Sequence, residues 1–429
     1  MKTALFWFRR DLRLRDNTAL NKAIEEGYRI LPLFIFDSEI CDELPRDDAR
    51  ISFIYTALTK IHEQLSNKYK SQLIIKQGEV LHVINQLILN YQIDAIFCNE
   101  DYEPYALSRD LKVKELCQSL GISFKSFVDH VIFRPGDILK KDLKPYTVYT
   151  PFKKQWLIKA QHHKFDSYTK IDQAVFKTIN EYVFPEIEEL GFLLSSIKPP
   201  EIRLEQLANY KQTRDFPAQD QTSYVGAHLR FGTISIRELI IKTKAKSETF
   251  LSELIWREFF IQILFYFPKV VSGPFKAKYA VIPWQNDKDL FERWKKGETG
   301  YPLVDAGMRQ LNKTGFMHNR VRMLCASFLC KHLLIDWSWG EAYFAEKLLD
   351  FELASNNGNW QWAAGTGCDA APYFRVFNPH IQLEKFDKEL LYVNRWVENF
   401  NELSYPHEIV EHKTARLRAI ETYKKALNQ

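Results

Sequence analysis

The first 130 residues alternate between two periodicities, and that alternation restricts the fold more than any other feature of the chain. Short apolar runs stand at Ala4–Phe8, Ile30–Phe36, Leu73–Ile75, Ala95–Cys98 and Phe124–Phe127. Between them, Arg50–Asn67 and Val80–Tyr91 carry apolar residues at helical spacing. Strands alternating with helices make a parallel, doubly wound sheet, which opens a ligand crevice at the carboxyl edge of its strands. After the first run, however, the chain reads Arg9-Arg10-Asp11-Leu12-Arg13, without the G-x-G-x-x-G turn that brings backbone against a pyrophosphate. A dinucleotide is therefore not expected on this part of the chain.

From about Phe133 to Pro200 the pattern loosens, with turn signals at Arg134-Pro135-Gly136 and Lys144-Pro145-Tyr146 and a break at Pro199-Pro200. Beyond residue 200 it is almost wholly helical. The expected organisation is an α/β doubly wound parallel-sheet domain over 1–130, a connector over 131–200 and an all-α domain over 201–429. A chain of 429 residues with 46% hydrophobic content can bury two such cores. Six cysteines without C-x-x-C or zinc-type spacing suggest free thiols in a reducing compartment and no metal. The N-terminus becomes charged at Arg9, too early for a secretory leader, and no apolar run reaches the roughly 18 residues of a membrane span. A cytoplasmic protein, off the membrane, is the expectation. The net charge of +5 permits a polyanionic partner, but nucleic-acid binding would need a local basic groove.

Seven of the ten tryptophans, at 256, 284, 294, 337, 339, 360 and 362, fall in one stretch of the second half. Tryptophan at that density means core packing or a site built of flat aromatic faces. Three segments there stand out. In a helix, Glu253, Trp256 and Arg257 share a face, either as an ordinary surface ion pair or as a carboxyl beside an aromatic plane. A carboxyl desolvated in that way would keep its proton and donate it to a carbonyl. Asn319 and Met323 are one turn apart and line a common face, with Arg320 and Arg322 pointing elsewhere; the amide argues against plain core, because a buried amide needs partners. Asn356-Asn357-Gly358 suggests a turn bringing backbone close to something, and Trp360-Gln361-Trp362 after it is too aromatic for an exposed loop.

These segments, in this order, resemble the photolyase/cryptochrome family, and within it the class I cyclobutane pyrimidine dimer photolyases. Matching motifs are Trp7–Arg13, Glu253–Phe259, Gly300–Ala306, Met317–Met323, Asn356–Trp362 and Asp369–Arg375. The resemblance implies light-driven DNA repair: reduced FAD, bound in the helical domain, lends an electron to a pyrimidine dimer, the ring splits and the electron returns. It implies that Glu253, Trp256, Asn319 and Met323 form the lesion pocket. Glu253 would donate to a dimer carbonyl, and Trp256 would stack on the flipped dimer, whose flipping costs least at a damaged pair. Tyr210 and the run Thr222, Ser223, Tyr224, Val225 and Gly226 match the phosphate-binding segment, with Gly226 where the family usually has Ser. Arg322, Asp350, Phe351, Glu352 and Asn356 match residues around the flavin ring, Arg322 pairing Asp350 and Asn356 facing N5. Trp284, Trp337 and Trp360 match the tryptophan chain that carries electrons to the flavin. Arg214, Arg320 and Gln382, with Glu253 and Trp256, match positions that touch DNA.

Glu103 matches an acid that pterin-using members place against a folate antenna. Those members also carry Cys-Lys where this chain has Val271-Ser272, so a flavin-type antenna or none stands beside the folate reading. The rival function is a blue-light photoreceptor of the cryptochrome type; the complete pocket and the absence of a long tail after Gln429 argue for the enzyme, acting as a monomer. A 6-4 photoproduct lyase would carry histidines at Asn319 and Met323. A generic flavin oxidoreductase is disfavoured by the missing fingerprint.

Overall fold

The computed structural model describes residues 2–165, 175–179 and 182–427. They divide into two compact units. The first comprises residues 1–137, 159–200 and 225–242, and the second 138–158, 201–224 and 243–429. The boundaries expected at 130 and 200 are thus not those of the packed units, and the expected connector is shared out between them; residues 166–174 and 180–181 of it lie outside the described residues.

In the first unit the five apolar runs become the strands β1 (Thr3–Phe8), β2 (Arg29–Asp37), β3 (Ile74–Gly78), β4 (Ala95–Asn99) and β5 (Ser123–Phe127). They form a parallel sheet in the order β3-β2-β1-β4-β5, with Leu5 opposite Leu31 on one side and Ile96 on the other. The order reverses beside β1, which is where such sheets open their crevice. At that point Asp11, Asn17 and Asn99 bond to one another. Asn99 donates to Asn17 at 2.8 Å and also to Asp11, and Arg9 reaches the Asn99 carbonyl. That network is the physical counterpart of the missing glycine-rich turn.

Residues 225–242 join this unit through buried charge. Arg237 donates to Asp129 at 2.7 Å and to Asp16 at 3.2 Å, while Arg13 takes the other Asp129 oxygen at 2.6 Å. Burial raises the Asp129 carboxyl, but Arg13 and Arg237 outweigh burial and hold it well below the usual range.

The second unit is helical around a core that includes Trp294, Tyr301, Met308, Leu324, Leu329, Trp337, Phe344 and Trp360. Its elements include the helices Tyr149–Ala160, Glu248–Tyr266, Pro302–Thr314, Asn319–Ser327, Trp337–Lys347, Leu353–Ala364, Pro379–Phe386 and His412–Leu427. All six cysteines are free. No helix among the described residues is long and apolar enough to cross a membrane.

Candidate active site

Helix Leu353–Ala364 occupies the segment where the sequence suggested a turn. Asparagine and glycine are poor helix formers, so packing must decide the matter. A Cβ on Gly358 would lie 2.1 Å from the Phe260 ring, so only glycine lets this helix close on helix Glu248–Tyr266. The amides also find buried partners: Asn357 and Gln361 both donate to the Val270 carbonyl at 3.0 Å, and Gln361 accepts from the Phe275 N–H at 2.8 Å. Tertiary contacts override the local preference.

Helix Asn319–Ser327 starts at His318, whose Nδ1 accepts from the Arg320 N–H at 3.2 Å. Burial, followed by the charge of Arg322, pushes His318 down to about 4, so the ring stays neutral and able to accept.

These two helices and the Asp350-Phe351-Glu352 segment border a cavity of about 110 Å³ lined by Asn319, Arg322, Met323, Asp350, Phe351, Glu352, Asn356 and Trp360. Trp362, left to packing by the sequence, lines it too. Met323 is half-buried and Asn319 exposed, so neither is core. Arg322, expected to point away from Asn319 and Met323, shares the cavity with them because it donates to the Met317 carbonyl at 2.7 Å and to Asp350 at 2.9 Å. Glu352 is held by Arg257 at 2.9 Å, and Asn356 donates to the Glu341 carbonyl at 3.0 Å. Asp350 Oδ1 is buried and has no partner. An acceptor left so costs about 1–3 kcal/mol unless a ligand supplies the donor. A flat, N–H-bearing ring fits this mixture of aromatic wall, arginine, carboxylate and amide.

Glu253 and Trp256 do not line that cavity. Glu253 accepts from Arg214, not from Arg257 on its own helix. It is therefore one half of an ion pair rather than the isolated carboxyl expected. Trp256 stacks on Tyr149 at 3.6 Å and 8°, which covers one indole face. Tyr149 donates to the Ser252 carbonyl at 2.7 Å, and burial pushes its phenol above the usual range. Sequence reasoning missed Tyr149; the spacing Tyr149, Phe152, Trp156 was the available signal, and all three are buried. Tyr210 joins this group, with Arg214 5.4 Å from its ring centroid.

Arg320 donates to Asp215 at 2.8 Å and lies 4.5 Å from the Phe386 ring, one turn after Gln382 on the same helix. Thr222, Ser223 and Tyr224 belong to the helical unit, with Tyr224 in a left-handed conformation at φ 53°, whereas Val225 and Gly226 fall in the other unit. Of the tryptophans, Trp360 and Trp337 are buried and Trp284 is half-buried. Phe344 meets the Trp360 ring edge-on at 4.9 Å and Trp294 at 6.1 Å.

The sheet-bearing unit holds a separate pocket of about 160 Å³ whose walls include Phe8, Phe34, Phe36, Tyr105 and Arg109. Glu103 lines it and accepts from Arg10 at 3.0 Å and Arg230 at 2.9 Å.

Comparison with known proteins places both units. A family model described as DNA photolyase matches residues 4–170, and one described as the FAD binding domain of DNA photolyase matches residues 250–404. The deoxyribodipyrimidine photo-lyase of Synechococcus is 35% identical over 95% of this chain and 90% of its own. That of Escherichia coli is 35% identical over 99% of both chains. Among solved structures, a bacterial class III photolyase from Agrobacterium tumefaciens matches with a TM-score of 0.89 at 32% identity, covering 100% of this chain and 98% of its own. An archaeal photolyase from Sulfolobus tokodaii, solved with two FAD molecules, matches with a TM-score of 0.85 at 36% identity, covering 99% and 100%.

Proposed function

The chain belongs to the DNA photolyase family, and from that premise we propose how its own residues carry out light-driven repair. It is a FAD-dependent enzyme of DNA repair acting on pyrimidine dimers. FAD, when bound and reduced, supplies the photo-excited electron that opens the dimer.

The residues that would hold FAD are Arg322, Asp350, Phe351, Glu352 and Asn356 around the ring and Tyr210, Thr222, Ser223, Tyr224, Val225 and Gly226 at the phosphates. The observation that carries this reading is the buried, unpartnered Asp350 oxygen in the cavity beside Asn356. Arg322 fixes the Asp350 carboxylate and keeps its second oxygen as an acceptor. Glu253, Trp256, Asn319 and Met323 receive the flipped dimer. Tyr149 stacks on Trp256 and would hold the indole against which a base stacks. Arg214, Arg320 and Gln382 meet the DNA strand, and a phosphate that draws Arg214 away leaves Glu253 free to take up a proton and donate a hydrogen bond to the dimer carbonyl. Trp284, Trp337 and Trp360 pass electrons inward to restore a reduced flavin.

A class III enzyme is among the structural relatives, so the class I, cyclobutane-specific reading is part of this proposal and rests on that lesion-pocket set. An antenna chromophore would occupy the pocket beside Glu103. The protein works as a cytoplasmic monomer. The decisive experiment illuminates the purified, FAD-loaded, reduced protein with an oligonucleotide carrying one cyclobutane thymine dimer. Restored thymines are expected. Dimers that persist while a 6-4 product is repaired, or while light changes only the protein, would overturn the proposal.

A further inference from the structure

Arg214 and Arg320 share one carboxylate, that of Asp215. Arg320 donates through Nη2 to Asp215 Oδ1 at 2.8 Å, and Arg214 Nε lies 4.0 Å from the same oxygen. Each guanidinium is also backed by a ring: Arg320 is 4.5 Å from the Phe386 centroid, and Arg214 is 5.4 Å from that of Tyr210. One oxyanion thus bridges two guanidinium groups that aromatic faces hold in place. A phosphate oxygen takes the same place at a pair of arginines. The carboxylate does not use up the available donors, because Arg320 Nε is buried and has no acceptor.

Two guanidinium groups face two carboxylates here, Asp215 and Glu253, so the cluster is neutral. His318 adds no charge near neutral pH, since burial pushes it down to about 4, and Arg322 is paired with Asp350. A strand arriving at a neutral cluster gains little Coulomb attraction unless a carboxylate gives way. Asp215 is placed to do so at Arg320: its side chain is 39% exposed against 18% for the arginine, so it can turn into solvent while Arg320 stays.

We propose that Asp215 is an intramolecular competitor for the DNA phosphate. It is a positioning residue that keeps Arg214 and Arg320 set for an oxyanion and closes on them again as the strand leaves. The inference rests on the reading of those two arginines as DNA contacts and adds to it the group that DNA must displace. Being tethered, the carboxylate acts at a high effective concentration. It weakens every strand that uses Arg320, whether dimer-bearing or repaired, and its return drives the repaired strand off. Release of product, rather than chemistry, sets the rate of many enzymes, so a weaker grip on DNA here quickens turnover.

The test measures binding of the FAD-loaded protein, in the dark and across a salt series, to a duplex oligonucleotide carrying one cyclobutane thymine dimer. Asp215→Asn keeps the size and hydrogen-bonding reach of the side chain and removes its charge. It should bind about 10-fold more tightly at low salt, and log K against log salt should steepen by about 0.9, the slope of one added phosphate contact. Asp215→Glu should return both values toward those of the parent. In excess substrate under saturating light, Asp215→Asn should show a lower KM and a several-fold slower turnover. Arg320→Gln should weaken binding, and adding Asp215→Asn to it should tighten binding far less than in the parent, because the competitor has lost its main partner. Affinity or salt slope unchanged in Asp215→Asn overturns the proposal, as does weaker binding, turnover no slower than the parent's, or equal tightening in the Arg320→Gln background. If Arg320→Gln binds the duplex as the parent does, the reading of these arginines as DNA contacts fails, and the inference falls with it.

Discussion

In the sheet-bearing unit, Asp129 meets Arg13 at 2.6 Å through one oxygen and Arg237 at 2.7 Å through the other, so both of its oxygens are engaged. In the helical unit, Asp350 meets Arg322 at 2.9 Å through one oxygen and leaves the other buried with no partner. The residue types and distances are nearly the same, and the difference lies in what is left unsatisfied. A closed cluster holds a fold together; an open one holds a place for a ligand. The crevice of the sheet shows the same contrast, since Asp11, Asn17 and Asn99 satisfy one another where other doubly wound sheets bind dinucleotides.

The comparison breaks if the closed cluster proves dispensable. Asp129→Asn would leave the buried Arg13 without its carboxylate and Arg237 with Asp16 alone, and should cost about 3–5 kcal/mol of stability in denaturant unfolding. A loss near zero would remove the distinction. Because Asp129 is held well below the ordinary carboxylate range, its contribution is complete above about pH 4 and is lost as pH falls toward its folded value. The variant should accordingly show a shallower acid limb. At the open cluster the effect should move from stability to binding. Asp350→Asn should weaken FAD by about 10- to 100-fold, the loss of roughly 1.5–3 kcal/mol from a charged hydrogen bond, in fluorescence titration. The FAD-free protein should unfold where the parent does; a shared drop in stability would make Asp350 structural after all.

Gly358→Ala sharpens the boundary between the two roles. Its new Cβ must displace the Phe260 ring, so about 1–3 kcal/mol of stability and part of the FAD content should be lost together, read by thermal unfolding and by the flavin-to-protein absorbance ratio. The smallest effect is expected at Glu253→Ala. Repair yield should fall several-fold, on the order of 1 kcal/mol, with FAD still bound. An unchanged yield per absorbed photon would remove Glu253 from the mechanism.

The five strands were legible because a sheet covered on both faces leaves long apolar runs, as at Phe34 and Phe97. Unit boundaries were not, because residues 225–242 are assigned by Arg237 reaching partners more than a hundred positions away. Asn356-Asn357-Gly358 misled for a related reason: the local signal was a turn, and the deciding contact, Gly358 on Phe260, is invisible to local pattern. Motif order located the cavity residues Asn319, Met323, Asp350 and Asn356. It could not locate Tyr149, whose helical spacing with Phe152 and Trp156 lies outside the matched motifs, or show that Glu253 would be paired with Arg214.

The ion pair of Arg237 with Asp129 also bears on how the chain is made. The two residues are 108 positions apart. At a synthesis rate of roughly 5–20 residues per second, Asp129 emerges about 5–20 s before its second arginine exists. Throughout that interval the nascent sheet carries a half-neutralised carboxylate. Its final closure waits on a segment that follows part of the helical unit in the chain, so a pause in translation between these positions would lengthen the exposure of an unfinished core.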